Sequence, residues 1–415
     1  MSLSIMTYQP VGDKKNSDFF NDYRLKIFQR RKSSGIDDLL ENLCALVVQV
    51  ETGDALAYME ELYLLTPFRF QDAYLNETHK IYIMQARPEW PRYIVLEPLD
   101  KSFSDDLTRL NMLYPLASKK PNARYVGEVF NTRDLTETRN ILESHNIRFH
   151  YPDETENKFF SNRHFNFTQP SSLTGNRVGY IPLDAFEMDQ IELGQRISLR
   201  KNEMQALAKA ADKAAEKGTN ELLLGVDHMA TRILSGERED AILEFLTMSN
   251  YYFWGAYNIA DQNSSTNVNR HPNVADDKFS PAKVFTANNI PSFVNSFENL
   301  PMPTEDFVRN YGRRMHHIAY EVKDGDHMGG EKNIDFVVDS LKSYGLPFLA
   351  NVVGECTDKP NLKQIFSKHS EYSLLITEYV ERCHGFDGFF TKDNVAALTQ
   401  AAGADERYHH GNIFD

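Results

Sequence analysis

Three residues in the second half of the chain have types and settings suited to redox metal chemistry. They are His228 in GVDHMATRI, His317 in RMHHIAYEV and Glu378 in SLLITEYVER. Read as a strand, the first segment places His228 on one face with Leu222, Leu224, Val226 and Ala230, an otherwise apolar, core-facing row. His316 and His317 are adjacent, so a regular strand sends them to opposite faces and only one points inward. Glu378 shares its face with Leu374, Ile376 and Val380. A lone carboxylate there is costly unless it is neutralised or holds a cation. Glu381 falls on the other face and needs no such partner. Two imidazoles and one carboxylate on core-facing strands are the donors of a facial triad. Such a triad grips Fe(II) by one face and leaves three adjacent positions for a bidentate substrate and dioxygen. Taken singly, an inward histidine is more often a satisfied core residue, and an inward glutamate can be half of a structural ion pair. The set gains force only if repeated elements place all three on equivalent strands.

The chain offers such elements. One pattern recurs four times: a strand, a helix, then further strands. It begins at LCALVVQV, at ARYVGEVF, at ELLLGVDH and at RRMHHIAY. Asp134 is placed to cap the helix LTETRNILESH of the second copy. The expected fold is α+β, with four βαβββ modules paired into two open-barrel domains. The divisions read from the sequence are a leader at 1–40, a two-module domain without metal at 41–198, a connecting helix at 199–219 and a catalytic two-module domain at 220–415. The leader is polar, with a basic cluster at Arg30, Arg31 and Lys32, and reads as a solvated cap.

Composition narrows the partners. A net charge of −14 leaves no basic surplus for nucleic acid or an anionic membrane surface. No apolar run reaches the length that spans a bilayer. The N-terminal stretch has no apolar core of the signal-peptide kind. Cys44, Cys356 and Cys383 make no CxxC pair, and so sparse a count suggests a reducing, cytoplasmic setting, with Cys383 a bystander. His409 and His410, with His384, read as a polar tail rather than a second metal site, and Asp324 and Asp326 as a solvated turn. No P-loop, GxSxG or GxGxxG in a strand-to-helix setting is present. A homo-oligomer is compatible with all of this.

The C-terminal half resembles the 4-hydroxyphenylpyruvate dioxygenase family of the vicinal oxygen chelate superfamily. VDHMATRI is similar to that family's first-ligand strand and RMHHIAYEV to its second, which selects His317 over His316. LKQIFSK followed by LLITEYVER is similar to the segments carrying a pocket glutamine, here Gln364, and the third ligand, Glu378. GFFTKDNVAAL is similar to the start of the family's closing helix, and places Phe389 or Phe390 against a substrate ring. The resemblance covers residues 222–412. It implies Fe(II) as cofactor, with a 2-oxo acid and dioxygen as small-molecule partners and no catalytic group beyond the ligands. It departs where the family has a serine and an asparagine near the substrate ring. Those positions fall at Ala282 and Phe297, with Asn295 close by, which would remove the usual polar partners of a para-hydroxyphenyl group. Two other readings stay open. An extradiol ring-cleaving enzyme would want an additional histidine and tyrosine, but parity points His316 and Tyr379 away from the metal. A non-catalytic binding relative would keep the fold and lose turnover.

Overall fold

The computed structural model describes residues 5–151, 156–160, 162–183, 185–186, 191–272, 280–291 and 301–403. A short strand β1 (Val11–Gly12) and helix α1 (Lys14–Ser34) open the chain. The first module is β2 (Leu40–Gln49), α2 (Ala55–Leu65), β3 (Arg69–Leu75), β4 (His79–Gln85) and β5 (Arg92–Pro98). The second is β6 (Arg124–Thr132), α3 (Leu135–Ser144), β7 (Asn166–Phe167) and β8 (Arg177–Pro182). Asp134 caps α3 as its position suggests, its side chain accepting from the Glu137 N–H at 2.9 Å. Strand β9 (Gln195–Ile197) leads to the connecting helix α4 (Lys201–Glu216). The turn after it is made at Gly218, whose φ of +70° suits a residue without a Cβ.

The third module is β10 (Leu223–Arg232), α5 (Arg238–Met248), β11 (Tyr252–Ile259), β12 (Ser264–Arg270) and β13 (Ala282–Asn288). Helix α6 (Pro303–Tyr311) joins it to β14 (Arg314–Val322), α7 (Asn333–Ser343), β15 (Asn361–Phe366) and β16 (Ile376–Cys383), and α8 (Lys392–Gly403) closes over the last strands. In modules two and four one expected strand shrinks to a single bridge, Phe149 with Thr168 and Phe348 with Ser367. Two eight-stranded sheets result, ordered β7-β8-β6-β2-β5-β4-β3-β9 and β1-β11-β12-β13-β10-β14-β16-β15. Each sheet is thus built mainly from two modules, as the repeats imply.

The centre of the C-terminal sheet carries two β-bulges, each a single extra residue that turns a side chain off the regular alternation. Opposite β14, Val226 faces Tyr320 and His228 faces Ala319, which leaves Asp227 extra on β10. Further along, Ala230 faces His317 and Thr231 faces Met315, which leaves His316 extra on β14. The N-terminal sheet repeats both irregularities, with Cys44 and Val126 as the extra residues. Superposing the two registers puts Ala45, Gly127 and Gly179 where His228, His317 and Glu378 stand. In that half the corresponding hollow is filled. Phe159, Phe160, Phe165 and Phe167 pack with ring centroids 4.3–5.5 Å apart.

Two expectations are corrected. The 1–40 segment is not a solvated leader. Val11–Gly12 extends the C-terminal sheet beside Gly255–Ala256, and Phe20 of α1 stacks on Phe253 at 4.9 Å. Arg31, from the supposed surface cluster, is buried and donates to the carbonyls of Leu246 and Tyr251 and to Asp37. Phe20, Ile27 and Phe28 are spaced to form one apolar side of a helix, which binds the segment down. Nor is Cys383 a bystander: it forms a disulfide with Cys356, Cα atoms 5.7 Å apart, across a sequence separation of 27. Cys44 is buried and free. No helix among the described residues is long and apolar enough to cross a membrane.

Candidate metal centre

His228, His317 and Glu378 lie on β10, β14 and β16, three neighbouring strands, and the register puts them on one face. All three are buried, with exposures of 0%, 6% and 1%. Glu378 Oε2 is 3.0 Å from His228 Nε2 and 3.1 Å from His317 Nε2, and the two Nε2 atoms are 3.3 Å apart. Neighbouring ligands of an octahedral ion with bonds of about 2.1 Å stand about 3.0 Å from one another. The triangle therefore has the dimensions of one face of such an ion. Glu378 Oε2 is fully buried and meets only the two Nε2 atoms, so a cation would be the partner that all three share.

Each ligand is held from behind. His228 Nδ1 is 2.7 Å from Asp227 Oδ1, a contact the bulge at Asp227 permits, and Nε2 is left facing the centre. Arg382 grips both oxygens of Asp227, Nε to Oδ2 at 2.7 Å and NH2 to Oδ1 at 2.8 Å. Nδ1 of His317 lies 2.8 Å from Nδ1 of His316, so His316 steadies the second ligand as Asp227 steadies the first. Gln364 donates to Glu378 Oε1 at 2.8 Å, and its own Oε1 accepts from Asn394 of α8 at 3.2 Å. Burial disfavours charge on all of these groups, and the outcome depends on their neighbours. It raises the Glu378 pKa, although His228 works against that, and it drives His316 and His317 well below the ordinary histidine value. For His228 burial is outweighed by Glu378 and Asp227, which push it up to about 9. For Asp227 burial is outweighed by Arg382 and His228, which hold the carboxylate well below its usual range.

A cavity of about 50 Å³ opens in front of the triad. Gln364 and Phe390 line it, and Phe390 sets its ring edge-on to His228 at 5.1 Å. Phe389 also packs against His228, at 5.6 Å, but lines a second chamber of about 390 Å³ on the far side. Ala282, beside His228 in the register, borders that outer chamber and not the inner one. Asn295 and Phe297 lie outside the described residues, as do His409 and His410. His384 is exposed and belongs to no metal-binding cluster among the described residues. His316 departs from the expectation. The bulge on β14 breaks the alternation, so His316 lines the inner cavity beside His317. Tyr379 points away as parity requires, its hydroxyl donating to the Leu65 carbonyl at 2.7 Å. Glu381 does lie on the other face, yet it is buried and accepts from the N–H groups of Gly325 and Ile334.

Sequence reasoning missed the polar wall of the inner cavity, Ser264, Thr266, Thr286 and Thr304, together with Arg232. The alternation in SSTNVNR carried that signal, since Ser264 and Thr266 share a face with Val268. It also missed Arg382, although Arg382 has the same parity as Glu378.

No family model matches the sequence, and no curated protein matches it. Among solved structures, the chain is similar to a triple mutant of 4-hydroxymandelate synthase from Streptomyces coelicolor. The TM-score is 0.58 at 14% identity, over 88% of this chain and 99% of that one. The two chains share one fold. A xylose isomerase-like TIM barrel/4-hydroxyphenylpyruvate dioxygenase fusion protein is similar as well, with a TM-score of 0.55 at 10% identity. There 95% of this chain is matched, and the chain spans 60% of the fusion. The triad sits on one face of the C-terminal sheet, under α8.

Proposed function

We propose that the chain is an Fe(II)-dependent dioxygenase acting on a 2-oxo acid, with 4-hydroxyphenylpyruvate the first substrate to test. The observation that carries this reading is the buried triangle of His228, His317 and Glu378, whose ligand atoms stand 3.0–3.3 Å apart and face a cavity. The two similar structures bear the names of enzymes of this chemistry, which supports the same reading. Bound there, Fe(II) would supply dioxygen activation next to a chelating substrate. The chain does the rest. Asp227 and His316 fix which nitrogen of each imidazole faces the centre, and Gln364 orients Glu378. Phe390, with α8 behind it, keeps the cavity dry and offers a flat apolar surface to a substrate ring. The hydroxyls of Thr266 and Thr286 offer polar partners to a ring substituent, in place of the side chains lost at Ala282 and Phe297.

The test is dioxygen consumption by the Fe(II)-loaded protein across a panel of 2-oxo acids, with His228→Ala as control. Consumption dependent on one acid and abolished in the control is the expected result. Silence over the whole panel with iron bound would overturn the 2-oxo-acid assignment. One observation favours a second reading, extradiol ring cleavage: His316 lines the inner cavity and its Nε2 is buried without a partner. Catechol belongs in the panel for that reason, and consumption with catechol alone would decide for it.

A further inference from the structure

Arg382 does more than neutralise Asp227. Its third nitrogen, NH1, donates to the carbonyl of Phe389 at 2.9 Å, and its guanidinium lies 4.8 Å from the centre of the Phe389 ring. One planar side chain therefore grips the carboxylate behind His228 with two donors and the aromatic segment over His228 with a third. That segment needs an external hold. His384 and Phe389 both have left-handed backbone, φ +54° and +64°, which side-chain-bearing residues adopt at a cost. Phe389 and Phe390 meet edge to face at 4.7 Å and form the wall between the two chambers, Phe390 lining the inner one, Phe389 and Arg382 the outer.

We propose that Arg382 is a positioning residue that couples the seating of the Phe389 segment to the orientation of His228 as a metal ligand. With the segment seated, Arg382 is held on three sides, and Asp227 in turn holds His228 with Nε2 facing the centre. With the segment displaced, Arg382 loses its fixed side and the hold on His228 loosens. The inference rests on the metal-centre reading above.

Co(II) titration of the full-length protein followed by visible absorption separates the two. The wild-type chain is compared with Arg382→Lys, Arg382→Gln, Phe389→Ala and the double variant Arg382→Gln/Phe389→Ala, and hydrogen exchange is read over 384–390. Loss of such an outer support weakens metal binding by roughly 10–100-fold. That range is expected for Arg382→Gln, with a smaller loss for Arg382→Lys, a changed Co(II) spectrum in both, and faster exchange in the segment. Phe389→Ala should weaken Co(II) several-fold by itself and add less than its full effect to Arg382→Gln, because part of it acts through the guanidinium and the rest through its ring on His228. A purely structural arginine would lower the melting temperature and leave the Co(II) spectrum unmoved. Unchanged Co(II) affinity in both arginine variants overturns the proposal, as does full additivity with Phe389→Ala. Should Arg382→Gln fail to fold, Arg382→Lys alone carries the comparison, and wild-type affinity in it overturns the proposal. A wild-type chain that takes up no Co(II) would overturn the metal-centre reading, and this inference with it.

Discussion

Glu378 places a carboxylate in the interior, where burial disfavours its charge, and this opposes folding of the metal-free chain. Glu378→Gln should therefore reduce Co(II) affinity by more than about 100-fold, since a ligand is lost outright, yet leave the apo melting temperature unchanged or higher. Titration and calorimetry on the same samples check both halves of that statement; a large fall in apo stability would show that the carboxylate is structural. The threonines of the inner wall make a second residue-scale prediction. Losing a buried hydrogen bond to substrate costs about 1–1.5 kcal/mol, or roughly tenfold. Thr266→Val and Thr286→Val should lower kcat/KM for 4-hydroxyphenylpyruvate by about that factor relative to phenylpyruvate. A preference left intact would place the hydroxyl elsewhere. At this scale the residues themselves pointed to His228, His317 and Glu378, polar on apolar faces, while Gln364 and the phenylalanine pair entered only through the family resemblance. Arg382 stayed hidden because a charged residue near a strand end ordinarily signals solvent, and Asp227 because regular alternation sends it to the face opposite His228.

The strands were readable as strands, but their bulges were not. A bulge is one extra residue in a pairing register, and it leaves no trace in composition or periodicity. Hence His316 was assigned to the wrong face while Tyr379, on an unbulged stretch of β16, was placed correctly. The packing of elements across the two halves was equally silent. Lys283 of β13 donates to Glu128 of β6 at 2.6 Å, with both side chains buried, and the Tyr125 hydroxyl also donates to Glu128. Breaking one side of such a pair strands the other charge. Lys283→Met should cost about 3–5 kcal/mol in urea unfolding, and adding Glu128→Gln should restore most of it. Equal costs for the single and double variants would mean that shape, not charge, matters at that contact.

For the whole molecule, two conditions should set stability. The Cys356–Cys383 disulfide ties the loop before β15 to the end of the strand bearing Glu378. Closing a loop of that length is worth about 3 kcal/mol, so Cys356→Ser should lose about that much under oxidising conditions and nothing in excess dithiothreitol. The second condition is pH. His79 is fully buried between Gln49 and Thr78, and burial depresses its pKa to about 3, against an ordinary value of about 6.5. Between those two values the unfolded chain binds the extra proton, so this group's contribution is complete above pH 6.5 and drains away as pH falls toward 3. His79→Gln should flatten that part of the stability profile; an unaltered slope would assign it to other groups. The four-module plan was legible because each module repeats its own strand and helix signals. The docking of α1 on the third module was not, because long-range contacts are written in no local pattern.

The filled N-terminal half bears on how this chain can change. Its bulged strands would present Ala45, Gly127 and Gly179 as a ready template for a second triad, but the space behind them has closed. A Cβ at Gly127 would lie 2.1 Å from the Arg177 carbonyl oxygen, a backbone atom, and one at Gly179 would lie 2.7 Å from the Phe167 ring. Ala45→His, Gly127→His and Gly179→Glu therefore cannot be installed one at a time, since the first steps need the backbone and the phenylalanine cluster to yield before any ligand exists to reward them. A second triad would thus need a concerted change, the backbone at Gly127 and the phenylalanine cluster yielding together, whereas the C-terminal hollow is already open.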